Sequence, residues 1–279
     1  MTDKTIPPVV PFEGWHVVHV FYHFEHAVWA NLSRSEQAAS RENLLRAVEE
    51  IRAAPSTQLM LFSMVTPKAD FGFMLLTPDL HDADRFEKRL TRSMGPGVLT
   101  PVYSYLSQTE RSEYTTTEAE FIAETLKGER KLTEGTPEFD QALADFRTRM
   151  EKYGKDRLYP NMPHDWEVFC FYPMSKRRGA PGQNWYASPF EVRRKLMGGH
   201  ARVGRQWSGK IRQLITGSTG LDSWEWGVTL FGHDPAHVKG IVYEMRFDEV
   251  SAQFAEFGPF YIGLQVPAPE ILKRIGAES

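Results

Sequence analysis

Residues 226–245, WGVTLFGHDPAHVKGIVYEM, read as a strand, a polar turn and a helix, and the same grammar occurs once before, in GFMLLTPDLHDADRFEKRL at 72–90. An internal echo of this kind marks a duplicated unit. Working outward from the later copy, EVFCFYPM (167–174), IRQLITGS (211–218) and FGPFYIGLQV (257–266) are strand-like, and 188–207 and 235–247 are helical. Around the earlier copy stand the strand-like WHVVHVFYHF (15–24), QLMLFSMV (58–65), FGFMLLTPD (71–79) and VYSYLSQTE (102–110). Between them lie the helical 33–54, with Leu44, Leu45, Val48 and Ile51 at three- and four-residue spacings, and the amphipathic 82–93. Each half therefore has the order β-α-β-β-α-β of a ferredoxin-like unit, and the expected class is α+β, with two pseudo-symmetric halves packing antiparallel sheets together.

The expected organisation is an N-terminal arm (1–13), a first ferredoxin-like unit (14–115), a helical connector (116–160) and a second unit (161–279). In the connector, Thr136-Pro137-Glu138 starts a helix that bears Phe139, Leu143, Phe146 and Met150 and is expected to stop near Gly154.

With 41% apolar and 25% charged residues over 279 positions, the chain reads as an ordinary globular protein. A formal net charge of −3 gives no global attraction to nucleic acid or anionic membranes. The single cysteine, Cys170, cannot form an intramolecular disulfide. With no export signal and no run of eighteen apolar residues, a cytoplasmic location is expected. There is no P-loop, no GxGxxG after a strand and no GxSxG elbow.

Chemistry is suggested by polar residues on apolar faces. In SPFEVRRKLMGGHARVGRQW (188–207), Ser188, Pro189 and Glu191 read as an N-cap, a first helical residue and a capping box. Val192, Leu196, His200, Val203 and Trp207 share one stripe, which points His200 inward. Gly198 and Gly199 each weaken a helix by about 1 kcal/mol relative to alanine. Taken alone, the stretch fits a core histidine beside a kink; a flat ligand lying against the helix is the other reading. On 168–174, alternation puts Val168, Cys170, Tyr172 and Met174 on one face and Phe169 and Phe171 on the other, with the basic SKRRG directly after. Gln213 shares a face with Ile211 and Ile215, so its amide needs a partner or a ligand. Together these residues read as a pocket lining. His16, His19, His23 and His26 have metal-ligand spacing only if 15–24 is a helix, and its valines and aromatics favour a strand.

FYPMSKRR (171–178), NWYASP (184–189), GGHARVGRQWSGKIRQLITGSTGLDSWEWGVTLF (198–231) and YEMRFDEVSAQFAEFGPFYIG (243–263) resemble the chlorite dismutase superfamily, specifically its coproheme decarboxylase branch. GWHVVHVF (14–21) and YSYLSQTERSEY (103–114) fit it more weakly. The resemblance implies a dimeric α+β barrel within one chain, assembled as a homopentamer, and porphyrin chemistry. It implies that His200 ligates the iron and that Tyr172 is the redox-active tyrosine. Lys176 then stands beside the second reacting propionate, Met174 touches the porphyrin edge, and Arg157, Arg246 and Ser251 bind propionates. Gln213 occupies the position where oxygen-evolving chlorite dismutases carry an arginine, and a neutral amide holds an oxychlorine anion poorly.

The implied activity is hydrogen-peroxide-dependent decarboxylation of iron-coproporphyrin III (coproheme) propionates 2 and 4 to vinyls, giving heme b through a radical on Tyr172. A coproporphyrin ferrochelatase would deliver the substrate. The alternatives are a chlorite-degrading or peroxidase-like heme enzyme and a nonenzymatic heme carrier or sensor.

Overall fold

A computed structural model describes residues 6–179 and 182–278. Its elements run β1 (His16–Phe24), α1 (His26–Ala30), α2 (Arg34–Arg52), β2 (Gln58–Met64), β3 (Phe71–Thr77), α3 (Leu80–Thr91) and β4 (Leu99–Thr109). Next come α4 (Glu118–Glu120), a π-helical stretch Phe121–Glu129, and α5 (Pro137–Leu158). The second half holds β5 (Val168–Lys176), a 3₁₀ turn Trp185–Ala187, α6 (Phe190–Gln206), β6 (Ile211–Gly217), β7 (Trp226–Gly232) and α7 (Pro235–Met245). It ends with α8 (Glu249–Phe254), β8 (Ala255–Phe257), β9 (Tyr261–Gln265) and α9 (Ala268–Arg274). The chain up to Thr109 and from Met162 onward forms one compact unit, and Glu110–Asn161 forms another.

In the first unit the strands follow the order β7-β6-β4-β1-β3-β2-β9-β5, and β5 pairs back onto β7. Among the described residues eight antiparallel strands thereby close into a barrel, and β8 prolongs the β9 side of β5. Closure follows from what the strands carry on their inner faces. Phe21, Phe62, Phe169, Phe171, Phe231 and Tyr105 are fully buried together there. The Phe62 and Phe169 rings, one from each half, stack at 3.7 Å.

The outer faces of the two halves are covered unequally. On the first half, Val18, Val20, Leu59, Leu61, Phe73 and Leu75 are sealed by Leu44, Val48 and Ile51 of α2, Phe86 and Leu90 of α3, and Ile271 and Leu272 of α9. The C-terminal helix thus returns to the first half. On the second half, Val168, Cys170, Tyr172, Ile211, Val228 and Leu230 meet Val238 and Ile241 of α7. No residue of α6 is buried, and Val192 is 46% exposed. The expectation that the α6 stripe packs inward is therefore corrected: it stands off the sheet.

The α6 start also differs. Helix begins at Phe190 with Pro189 as its N-cap, and Ser188 Oγ donates instead to the Asn184 carbonyl at 3.3 Å. The preceding 3₁₀ turn, capped by Asn184, claims the serine, so no capping box forms.

β1 is a strand, and its histidines scatter. His19 lies inside the barrel against Phe171 at 4.2 Å, His23 pairs with Asp70 at 3.3 Å, and His16 approaches the Val9 carbonyl. Among the described residues no cluster of three or more His, Cys, Asp or Glu could hold a metal ion. Among the same described residues no helix is long and apolar enough to cross a membrane.

Within the second unit, Thr136 caps α5 and Pro137 takes its first turn, as the sequence implies. Phe121 and Phe146 stack at 4.1 Å in its core. The helix does not stop at Gly154 but runs on to Leu158. A Cβ at Gly154 would come within 2.9 Å of Arg111 Nη1, so that glycine serves a close approach rather than an end.

A candidate active site on the outer face of the second half

His200 sits on α6 with its Nδ1 2.8 Å from Asp248 Oδ2. The imidazole side chain is 26% exposed and the carboxylate 7%. Asp248 is held because it caps α8: its Oδ2 accepts the Ser251 backbone N–H at 3.2 Å, and the Ser251 hydroxyl lies 3.5 Å from the same oxygen. Burial alone would raise the Asp248 carboxyl, but the hydrogen bond and charge of His200, the Ser251 N–H and the Lys176 charge together bring it below the ordinary carboxylate value. A carboxylate at Nδ1 fixes the tautomer, with Nδ1–H donating and the Nε2 lone pair free.

β5 supplies the opposite wall. Its alternation puts the two sets on opposite faces as the sequence predicts, with Val168, Cys170, Tyr172 and Met174 outward and Phe169 and Phe171 inside the barrel. Tyr172 is 8% exposed and stacks on Phe260 at 4.4 Å. Burial raises its phenol well above the ordinary value, Cys170 adds to the rise, and the Arg246 charge opposes it. Met174 is half-buried opposite Trp226. Lys176, also 8% exposed, sets its ammonium 4.9 Å over the Trp185 ring. Burial lowers this ammonium to about 8, against the opposing charges of Asp248 and Glu225. Arg246 ends α7 and lies 3.8 Å over the Phe257 ring.

Gln213 is exposed on β6, which corrects the expectation of an inward amide. Its orientation toward α6 is evident from Gly204, one turn beyond His200, where a Cβ would stand 3.6 Å from Gln213 Nε2 and 3.3 Å from Met245 Cε. At Gly198 and Gly199 a Cβ would meet nothing within 4 Å, so both glycines lie on an open side of the helix. Arg157 belongs to the Glu110–Asn161 unit, where its Nε donates to the Glu110 carbonyl at 3.3 Å.

The fold thus brings His200, Tyr172, Met174, Lys176, Gln213, Arg246 and Ser251 to one face, between β5–β7 and α6–α8. Sequence reasoning missed Asp248, Glu225, Arg178 and Trp185. Asp248 carried a usable signal, an aspartate directly before the short helix EVSAQF. Glu225 carried none, being one acid in a turn.

The sequence profile of the chlorite dismutase family matches residues 34–266. A Natronomonas pharaonis protein named as heme-binding is 38% identical over 269 residues, 95% of this chain; the chain spans only 41% of that relative's length. The solved structure of a heme-binding protein from Thermus thermophilus superposes with a TM-score of 0.76 at 34% identity, covering 98% of this chain and 100% of that one. A variant chlorite dismutase from Candidatus Nitrospira defluvii shares the fold, with a TM-score of 0.71 at 15% identity over 95% and 97% of the two chains. A two-part antiparallel barrel and a profile match across most of its length give one assignment: the chain belongs to the chlorite dismutase family.

Proposed function

We propose that this protein binds coproheme between α6 and the outer face of β5–β7, and uses hydrogen peroxide to convert propionates 2 and 4 to vinyl groups, yielding heme b. The observation that carries this reading is His200, oriented by Asp248 on a helix with no buried residue. The names of the two relatives at 38% and 34% identity support porphyrin binding.

The residues present fit a four-carboxylate porphyrin. Among the described residues, the Tyr172 hydroxyl, the Lys176 ammonium, the Gln213 amide and the Arg246 guanidinium make no hydrogen bond to protein; their near neighbours are Phe260, Trp185, the Gly204 position and Phe257. Uncommitted donors are costly where they are buried, as at Tyr172 and Lys176, unless an acceptor joins them. His200 Nε2 would take the iron, Met174 the ring edge, and Lys176, Arg246 and Ser251 the propionates.

Bound iron with peroxide supplies the oxidising power, and the chain supplies position and a hydrogen relay. With the phenolate disfavoured by burial, Tyr172 gives up its proton together with an electron. The resulting phenoxyl takes a hydrogen from the β-carbon of the propionate, which restores the phenol. As the bond to the carboxylate carbon breaks, carbon dioxide leaves and the second electron is drawn off. Each propionate, with one peroxide and one proton, gives one vinyl, one carbon dioxide and two waters. Tyr172 and Lys176 are four residues apart on one strand, about 13 Å by the usual strand rise. The two side chains therefore serve different parts of the porphyrin rim.

A homopentamer, and substrate handed over by a ferrochelatase, belong to the same proposal; light scattering gives the subunit number. The test of function is the porphyrin mass after peroxide is added to coproheme-loaded protein. Stepwise loss of two carboxyl groups is expected. An unchanged mass points to a carrier, and oxygen release on adding chlorite points to a chlorite-degrading enzyme.

A further inference from the structure

Lys176 stands near two acids yet pairs with neither. Glu225, in the turn before β7, has a side chain only 5% exposed, and its Oε2 accepts the Lys176 backbone N–H at 2.8 Å. Asp248 is near enough for its charge to act on the same ammonium. Each carboxylate already has a partner. Asp248 is taken by His200 and the Ser251 N–H, and Glu225 Oε1 is taken by Arg178 Nη2, with the Tyr186 hydroxyl bonded at the same place. Among the described residues the Lys176 ammonium makes no ion pair, and it lies over the face of Trp185.

We infer that Arg178 is a positioning residue: by occupying Glu225 it keeps the Lys176 ammonium uncommitted, ready for a substrate carboxylate. The inference deepens the coproheme reading and rests on it. A buried carboxylate stripped of its partner seeks the nearest cation, and the residue whose backbone N–H Glu225 already accepts, Lys176, carries one. Arg178 suits the role because its own side chain is 67% exposed and lies over the Tyr186 ring at 5.4 Å. It reaches inward from the surface to neutralise an acid that the substrate would otherwise have to compete with.

The experiment compares wild type, Arg178→Gln and the double variant Arg178→Gln/Glu225→Gln. Equilibrium binding of coproheme and of heme b, which lacks the two propionates, is measured alongside the porphyrin products after peroxide. Arg178→Gln should weaken coproheme binding on the order of tenfold, the worth of about one competing ion pair, while heme b binding is unchanged. The three-propionate intermediate should accumulate in that variant. The double variant should recover both, because the competing carboxylate is gone. Equal weakening of coproheme and heme b, or no recovery in the double variant, overturns the inference while leaving the decarboxylase reading intact. An unaltered porphyrin in the wild type overturns both.

Discussion

His200 and Asp248 are joined by a 2.8 Å hydrogen bond, and the same Asp248 oxygen caps α8. One carboxylate thus orients the proposed iron ligand and anchors the helix that carries Ser251. Asp248→Ala should weaken coproheme binding by about 10- to 100-fold. It should also lower stability by about 1 kcal/mol through the lost cap. Asp248→Asn keeps the cap while removing the charge, so urea unfolding should report near-normal stability and spectroscopic titration should still report weakened binding. Equal stability losses in the two variants would contradict the double role.

Lys176 should make coproheme affinity depend on pH. Its ammonium is held near 8, below the ordinary 10.5, mainly by burial. In free protein the charge that a propionate meets is thus present below pH 8 and lost above it. Affinity should be flat up to about pH 8 and then decline by up to about tenfold per unit. Lys176→Met should abolish that bend. The stability linkage has its own sign: between 8 and 10.5 the unfolded chain binds more protons, so stability gains as pH climbs through that window.

His19 should govern part of the acid sensitivity of the fold. It is fully buried in the barrel, with Nε2 3.0 Å from Thr229 Oγ1 and no partner for Nδ1. Burial depresses it to about 3 from 6.5. A base depressed in the folded state contributes stability that is complete above pH 6.5 and is lost progressively as pH falls toward 3. The slope is at most about 1.4 kcal/mol per pH unit. Urea unfolding of His19→Leu across this range should show a shallower decline than wild type. Parallel curves would mean that His19 does not carry the effect.

The duplicated strand grammar was legible because alternation is local: Phe169 and Phe171 against Cys170 and Tyr172 fix which face of β5 is which. The same alternation put Tyr172 and Met174 on one face, whereas Lys176, Arg246 and Ser251 entered only through the resemblance. What escaped depends on contacts across the fold. Asp248 lies 48 residues from His200, Glu225 meets Lys176 through a neighbouring turn, and α9 returns to seal the first half. Helix periodicity placed His200 on the apolar stripe but could not tell that α6 stands off the sheet, because a stripe facing a ligand and one facing a core look alike. Gly154 reads locally as a helix end, and only the Arg111 side chain against it explains why the helix continues.

The central claim is that Tyr172 relays hydrogen from a propionate held beside it. Its most direct test is a single-turnover comparison of coproheme-loaded wild type and Tyr172→Phe, each given stoichiometric peroxide and sampled by mass spectrometry of the porphyrin. The phenyl ring keeps the stacking on Phe260 and removes only the hydroxyl. Wild type should pass through the three-propionate species to heme b, while Tyr172→Phe should bind coproheme with similar affinity and release no carbon dioxide. Heme b formed by Tyr172→Phe at the wild-type rate would contradict the account.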